Sequence, residues 1–252
     1  MIILSLDTTT RAGSVALYDD GDRDDRVIDE RAGDATRSHA ERLPGDIVAL
    51  ADAHRVALSA VDVFAVASGP GSFTGLRIGI ATMQGLAFVH RRPLAGVSAL
   101  EALAQMASVN LTPGTVVAAW MDAHRHEVFT AIYRVERARL FDPERLVELE
   151  GATVGTPEAT IDRWRAHLPG GTVFAGDGAV RYADAIARSV PQAQTVPVPL
   201  LARAIAGLAA SRARRGESAG PAAIQPLYVR RPDAEIARDE ILRTEPSIPR
   251  ET

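Results

Sequence analysis

The sequence predicts an α/β protein built from two similar halves, each with a mixed β-sheet flanked by helices. Short apolar segments alternate with longer amphipathic ones, and several apolar segments end in Asp- or Gly-rich turns. In addition, Val117 to Asp122 resembles Ile2 to Asp7, and a Tyr follows each Asp by eleven residues, at Tyr18 and Tyr133. This separation of 115 residues suggests a duplication, with a chance match of two apolar segments as the alternative.

The elements of the first half follow from hydrophobic periodicity. A short apolar run at 2–6, alternating residues at 14–18 and a segment at 27–31 after a polar turn predict three antiparallel strands, and Ser38 is a plausible N-cap for a helix reaching residue 55. A buried strand at 61–67 then leads through a glycine-rich turn into a helix at 74–90, followed by a strand at 94–97 and a helix at 98–107.

These elements predict a domain division. The first half spans 1–108 and is completed by a helix at 200–216, the smaller second half spans 109–199, and 217–252 forms a C-terminal extension whose end we expect to fray.

Composition excludes several kinds of chemistry. The chain of 252 residues contains no Cys, and all 28 of its basic residues are Arg. A thiol nucleophile, a thiolate zinc site, a Walker-type lysine and a Schiff-base lysine are therefore excluded. The net charge of −4 argues against unaided nucleic-acid binding. The absence of a basic leader and of an apolar run of about 18 residues predicts a cytoplasmic protein without membrane contact.

The glycine turn, Ser68 to Gly75, is the first candidate site. Glycines tolerate positive φ, and free N–H groups at the start of the next helix favour anions. A weak nucleotide site is therefore one interpretation, and a purely structural strand-to-helix turn is the other. The residues of the nucleotide interpretation are Asp7, Gly69, Gly71, Ser72 and Thr74.

The helix behind the turn predicts a second helix close to it. From Leu76 to Val89 small or apolar residues cover most of its circumference, and Gly75 and Gly79 share one face. The second helix could be the chain's own 38–55 segment, a partner's helix, or both. An exposed apolar face would also make a homodimer of the isolated chain plausible. The predicted partner-contacting residues are His39, Leu43, Ile47, Leu50, Gly75, Leu76, Ile78, Gly79, Thr82, Met83 and Leu86.

Four segments resemble the TsaB (YeaZ) family. They are Leu4-Ser-Leu-Asp-Thr-Thr9, Gly69-Pro-Gly-Ser-Phe-Thr-Gly-Leu-Arg-Ile-Gly79, Asp122-Ala-His-Arg-His-Glu-Val-Phe129 and Pro226-Leu-Tyr-Val-Arg230. The third departs from the family pattern at its two His residues and at Phe129. The resemblance implies the duplicated actin-like ATPase (ASKHA) fold, in which a nucleotide lies between the halves.

The resemblance also implies a division of labour with TsaD, the paralogue that transfers a threonylcarbamoyl group to tRNA and carries an HxxxH metal motif. The corresponding positions here are Ala99 and Leu103, neither of which can bind a metal. The family therefore implies a non-catalytic scaffold that dimerises with TsaD, permits the ATPase TsaE to dock, and meets tRNA only within the complex. No cofactor is required, and weak ATP or ADP binding is expected at the TsaD interface.

Two alternatives remain open from the residues. A small actin-fold ATPase or kinase would use Asp7 or Asp122 to orient a metal. His124 and His126, taken as residues of one strand, would project to the same face and could hold a metal, although a solvated pair is the simpler interpretation.

Overall fold

The computed structural model describes residues 1–21, 25–197 and 199–230, and the side chains of residues 25 and 26 are not part of the description. The predicted extension at 217–252 is described as far as residue 230, so the expectation for its end lies outside the described residues. No helix in the described ranges is long and apolar enough to cross a membrane.

The first half contains a mixed five-stranded sheet in the order β3-β2-β1-β4-β5. β1 pairs antiparallel with β2 and parallel with β4, which confirms the predicted antiparallel start of the chain. The strands are β1 (Ile2–Asp7), β2 (Ser14–Asp20), β3 (Asp25–Ala32), β4 (Val63–Gly69) and β5 (Leu94–Ser98).

The second half contains another five-stranded sheet in the order β10-β9-β6-β7-β8. Counted from its antiparallel edge, this order is the same as that of the first sheet, so the two halves share one topology and the predicted duplicated architecture is confirmed. The strands are β6 (Val116–Asp122), β7 (Val128–Val135), β8 (Leu146–Gly155), β9 (Val173–Ala175) and β10 (Gln194–Val196).

Seven α-helices cover the sheets in the described ranges. Their ends have the expected local signals: Glu41 accepts a hydrogen bond from the Ser38 backbone at 2.8 Å, and the Ser72 hydroxyl accepts one from the Gly75 backbone. The helices are α1 (His39–Ala53), α2 (Phe73–His90), α3 (Ala99–Ala107), α4 (Pro157–Trp164), α5 (Asp177–Arg181), α6 (Ala183–Ser189) and α7 (Ala202–Arg214).

The elements form five layers. Alternate side chains of β1 point to opposite sides, so Leu4 and Leu6 pack under α1 and α2, whereas Ile3 faces the centre of the molecule. α3 and α7 lie between the two sheets in one continuous apolar core. A third core around Trp120 and Trp164 joins the second sheet to its outer helices. α1 and α2 are therefore an outermost layer, with one side of each helix facing solvent.

α7 is anchored on the first sheet although it follows the second half in the chain. The Ser5 hydroxyl donates to the Ala202 carbonyl at 2.7 Å, and the Ala202 backbone donates to the Ser14 hydroxyl at 3.0 Å. These buried polar groups satisfy one another, so the register of α7 on β1 and β2 is specific.

Candidate functional site

The glycine turn lies between β4 and α2 and is packed against its own chain. A Cβ atom on Gly71 would lie 2.5 Å from the Thr9 Cβ, and one on Gly69 would lie 2.9 Å from the Leu227 carbonyl oxygen. Gly69 also has φ of +116°, a conformation that other residues rarely adopt. Close packing therefore accounts for the glycine at both positions, and the positive φ is a second reason at Gly69.

Asp7 ends β1 and is 2% exposed. Its carboxylate accepts hydrogen bonds from the Thr9 backbone at 2.8 Å and from the Thr9 hydroxyl at 2.6 Å. Burial raises the pKa of the Asp7 carboxyl, and the hydrogen bonds from Thr9 oppose that rise. The acid is thus held inside the loop that packs on the glycine turn.

The structure brings the predicted nucleotide residues to one region. Thr9 links the Asp7 carboxylate to the turn, because its backbone oxygen also accepts a hydrogen bond from the Ser72 backbone at 2.9 Å. Ser72 and Thr74 are exposed at the start of α2, whereas Gly69 lies beneath Leu227. Nucleotide binding by these residues stays a prediction.

The equivalent turn of the second half is closed in a similar way. The Asp177 carboxylate accepts hydrogen bonds from the backbones of Asp122 and Gly178, each at 2.9 Å. The Asp122 carboxylate forms an ion pair with Arg181 at 2.7 Å. A Cβ atom on Gly176 would lie 2.0 Å from the Trp120 carbonyl oxygen. Asp122 is therefore already engaged by a cation of its own chain.

The two His residues of the second-half hairpin do not lie on a strand as expected. His124, Arg125 and His126 have φ values of +57°, +51° and +61°, so they form a left-handed turn between β6 and β7. The alternation that would place both rings on one face applies only to extended backbone. The strand geometry on which the metal alternative depended is therefore wrong.

Ala99 and Leu103, the positions that correspond to the paralogue's metal motif, lie on α3. Both are 0% exposed and belong to the central apolar core. The side chains at this point of the fold pack between the halves and supply no metal ligand.

The prediction that Gly75 and Gly79 face another helix is wrong. A Cβ atom on Gly75 would lie 2.2 Å from the Thr8 carbonyl oxygen, and one on Gly79 would lie 2.2 Å from the Thr8 hydroxyl oxygen. The loop after β1 packs against α2 at these two positions. Because glycine has no side chain, the loop can approach the helix closely there.

Several other predicted partner-contacting residues are also covered by their own chain. Most of their apolar side chains join the outer core between the first sheet and the helices, where burial stabilises the half itself. The His39 ring, in addition, contacts the Thr10 carbonyl oxygen through Nε2 at 3.0 Å and Arg42 through Nδ1 at 2.8 Å. The residues concerned are His39, Leu43, Ile47, Leu50, Leu76 and Met83.

The later turns of α2 carry an open surface beyond the loop at Thr8. Ile78, Thr82 and Leu86, the remaining predicted residues, are half-buried at its margin. A Cβ atom on Gly85 would meet no atom of the described chain within 4 Å, and the same holds for Gly45 on α1. We call this surface the α1–α2 face; it comprises Pro44, Gly45, Val48, Ile78, Ala81, Thr82, Gly85, Leu86, Phe88 and Val89.

The α1–α2 face is apolar to an unusual degree for a free surface. Phe88 is 78% exposed, Val89 is 72% exposed and Val48 is 48% exposed. Sequence reasoning missed most of these residues, although a signal was present. Ile78, Thr82, Gly85 and Val89 follow helical spacing and form one stripe, and Gly85 had no other explanation in the sequence.

The C-terminal segment 217–230 links α2 to the second half. The Gln84 amide donates to the carbonyl oxygens of Pro221 and Ile224 at 2.9 and 3.1 Å, and the Leu227 backbone donates to the Ser68 carbonyl oxygen at 2.7 Å. Farther along, Arg230 donates to the Ala123 carbonyl oxygen at 2.8 Å and forms an ion pair with Glu127. We call this segment the C-terminal strap.

Comparison with known proteins finds relatives over most of the chain. The family model described as "TsaD: tRNA N6-adenosine threonylcarbamoyltransferase" matches residues 33–238. The tRNA threonylcarbamoyladenosine biosynthesis protein TsaB of Escherichia coli is 34% identical over 178 residues, which cover 71% of this chain and 72% of that protein. An uncharacterized protein of Mycobacterium leprae is 33% identical over 92% of this chain, and the match spans only 56% of its own length.

Two solved structures are similar to this chain in both fold and sequence. A Pseudomonas aeruginosa protein described as similar to peptidase YEAZ has a TM-score of 0.74 and 34% identity, over 91% of this chain and 99% of its own. A second structure, YeaZ from Pseudomonas aeruginosa, has a TM-score of 0.71 and 33% identity, over 90% of this chain and 99% of its own.

The two five-stranded sheets of one topology, with helices on both sides of each, define a duplicated α/β fold class, the architecture that the family resemblance implied. Within that class, the identity and coverage of these relatives show the family: the chain belongs to the TsaB (YeaZ) family. It is thus a protein of the family that serves the biosynthesis of threonylcarbamoyladenosine in tRNA.

Proposed function

We propose that this chain is the non-catalytic scaffold subunit of a tRNA threonylcarbamoyladenosine complex and that it binds TsaD through the α1–α2 face. The observation that carries the proposal is the open, apolar stripe on α2, where a Cβ atom on Gly85 would have no atom of the described chain within 4 Å. A helix surface of this kind allows a second backbone to approach closely and bury apolar area.

TsaD is the partner that we assign to this face. The family model for TsaD itself matches residues 33–238 of this chain, so the two proteins share the elements that build the face. Two related folds can pair equivalent helices about a pseudo-twofold axis, as subunits do in symmetric dimers. A homodimer of the isolated chain would use the same face for the same reason.

The groups that catalysis would need support a scaffold role. Asp7 is buried and bound by Thr9, and Asp122 is paired with Arg181. Ala99 and Leu103 belong to the apolar core. In this proposal the chemistry and the metal are supplied by TsaD, and this subunit provides the surface on which the complex assembles.

The remaining parts of the proposal concern the wider complex. TsaE docks after TsaD has bound, and tRNA is held by the assembled complex, because a chain with net charge −4 has no excess of cations for phosphates. ATP or ADP binds weakly, near the exposed start of α2 and the TsaD interface. The complex works in the cytoplasm, where tRNA is modified.

Size-exclusion chromatography of the full chain with TsaD tests this function. We expect the pair to elute together, earlier than either protein alone. A chain that migrates separately from TsaD, even with nucleotide and TsaE present, would contradict the proposal. A chain that forms only its own dimer would leave the α1–α2 face as an interface but would reject TsaD as its occupant.

A further inference from the structure

A cleft of about 470 Å³ with a mixed polar and apolar lining lies between the two halves. α3 supplies Glu101, β7 and β8 supply Tyr133 and Glu148, and the C-terminal strap closes the cleft with Leu227. Sites for small molecules commonly lie between domains and have volumes of roughly 300–1,000 Å³. The cleft therefore has the position and the size of a ligand site.

Tyr133 is the most unusual residue of the cleft. It is 5% exposed, and its hydroxyl has no hydrogen-bond partner in the part of the chain that the structure describes. Burial, together with the charges of Glu101 and Glu148, raises the pKa of the Tyr133 phenol, so this hydroxyl stays protonated. The hydroxyl is not one of the enclosed, unpartnered polar atoms of the described chain, so it reaches the cleft, where it is available to an acceptor on a ligand.

The charges around the cleft leave one carboxylate uncompensated. Glu101 forms an ion pair with Arg212 at 2.7 Å, and Arg212 uses its other terminal nitrogen on the Gly96 carbonyl oxygen at 2.6 Å. Glu148, opposite Tyr133 on the neighbouring strand, is an exposed residue of the cleft lining and makes no ion pair with any described residue. The cleft therefore favours a ligand with a single positive charge.

The other walls favour an organic cation over a bare metal ion. Leu146, Ala152 and Leu227 are apolar, whereas a calcium or magnesium ion takes about six oxygen ligands. One free carboxylate and one phenol do not supply such a set. An aliphatic chain, by contrast, would lie along the apolar wall and lose contact with water.

We propose that the cleft binds a small aliphatic ammonium compound that also carries an oxygen acceptor. Its ammonium group faces the Glu148 carboxylate, its oxygen accepts a hydrogen bond from the Tyr133 hydroxyl, and its chain packs on Leu146 and Leu227. Because the cleft is built from both halves and the strap, a bound ligand also holds these three parts together.

Isothermal titration calorimetry of the full chain with 4-amino-1-butanol tests the proposal. We expect saturable binding with a dissociation constant of about 1 mM, as is usual for so small a ligand. 1,4-Butanediol, which has no charge, should bind at least about tenfold more weakly, since it lacks the ion pair with Glu148.

Three variants assign the contacts. Glu148→Gln should weaken binding of the amino alcohol about tenfold or more, and Tyr133→Phe about threefold to tenfold. Glu150→Gln is the matched control, because Glu150 lies on the same strand but pairs with Arg163 at 2.6 Å outside the cleft. Circular dichroism of each variant checks the fold.

Three results would overturn the inference. They are the absence of saturable binding up to about 20 mM, equal binding of the diol, and unchanged binding by Glu148→Gln. Tyr133→Phe keeps the aromatic ring and therefore leaves packing intact, so loss of binding in that variant reports on the hydroxyl.

Discussion

Arg77 donates a hydrogen bond from its Nε atom to the Tyr228 hydroxyl at 2.9 Å, across 151 residues of chain. The Arg77 guanidinium also lies 4.0 Å from the centre of the Phe73 ring, and that ring is 5.1 Å from the Tyr228 ring. The glycine segment and the C-terminal motif, which are far apart in the sequence, thus meet in one cluster at the start of α2. The cluster fixes the strap on the helix that forms the proposed interface.

Tyr228→Phe should loosen the strap without disturbing either core. The change removes one partly exposed hydrogen bond, so we expect a loss of about 0.5–1.5 kcal/mol in the free energy of unfolding. Faster proteolysis within 217–230 should accompany it. Chemical denaturation and limited proteolysis measure both effects. Tyr133→Phe is the control, since its hydroxyl has no protein partner among the described residues, and equal losses in the two variants would contradict the assignment.

Two alanine substitutions on α2 should have opposite effects on stability. Gly85→Ala adds a methyl group in open space and removes the helix penalty of glycine, so it should stabilise the chain by about 1 kcal/mol. Gly75→Ala places the same group 2.2 Å from the Thr8 carbonyl oxygen and should destabilise it by about 2 kcal/mol. Thermal denaturation of the pair compares a covered and an open position of one helix. Effects of the same sign would show that the covered and open positions are wrongly assigned.

Gly85→Leu should separate folding from assembly. The isolated chain should fold normally, because a Cβ atom at this exposed position meets no described atom, whereas TsaD should bind about 10–100-fold more weakly because the helices can no longer approach. Ala159→Leu, at an exposed position of α4 in the second half, is the matched control. Calorimetry or coelution with TsaD measures the difference. Full affinity in a folded Gly85→Leu protein would remove α2 from the interface.

Asp7→Asn distinguishes the scaffold from the ATPase or kinase alternative. Burial raises the pKa of the Asp7 carboxyl in the folded chain, so its stabilising contribution is greatest at low pH and is lost as the pH rises through the folded value. Near neutral pH the variant should therefore be at least as stable as the wild type, and it should support tRNA modification in cells. Loss of modification in a strain that still forms the complex would favour a chemical role for Asp7.

His39 should make stability depend on pH. Burial, and then the Arg42 charge, lower the pKa of His39 below 6.5. A lowered pKa means that the unfolded chain binds the proton more readily, so the stabilising contribution is present above about 6.5 and is lost as the pH falls through the folded value. Protonation would also remove the Nδ1 acceptor that Arg42 uses. His39→Gln should flatten the decline in melting temperature between about pH 7 and pH 5, and an unchanged decline would contradict this origin.

Helix caps, apolar patterns and the internal repeat account for the elements of the fold that could be predicted from the sequence. Ser38 and Ser72 mark the starts of α1 and α2, and alternating apolar residues place β1 and β2. The repeat of Asp7 and Tyr18 at Asp122 and Tyr133 predicts two sheets of one topology. Each of these features depends on neighbours in the chain, which is why composition and spacing were sufficient.

The open surface of α2 was not predictable in the same way. This helix is apolar or small on nearly every side, so periodicity does not show which side is covered by the chain itself. The loop at Thr8 covers the first turns of α2 at Gly75 and Gly79, and the helix surface at Gly85, in a later turn, remains open. Long-range packing between the end of β1 and α2 decides between them.

The sequence by itself therefore determined the order of the elements, the duplication and the family, because these follow from local pattern and motif identity. Only the tertiary structure decided which face is free, that Arg77 meets Tyr228, and that Tyr133 lies in a cleft beside Glu101 and Glu148. The physical reason is the layer order: it places α1 and α2 outermost and brings the two halves and the strap together, and contacts between such distant segments depend on how the layers pack.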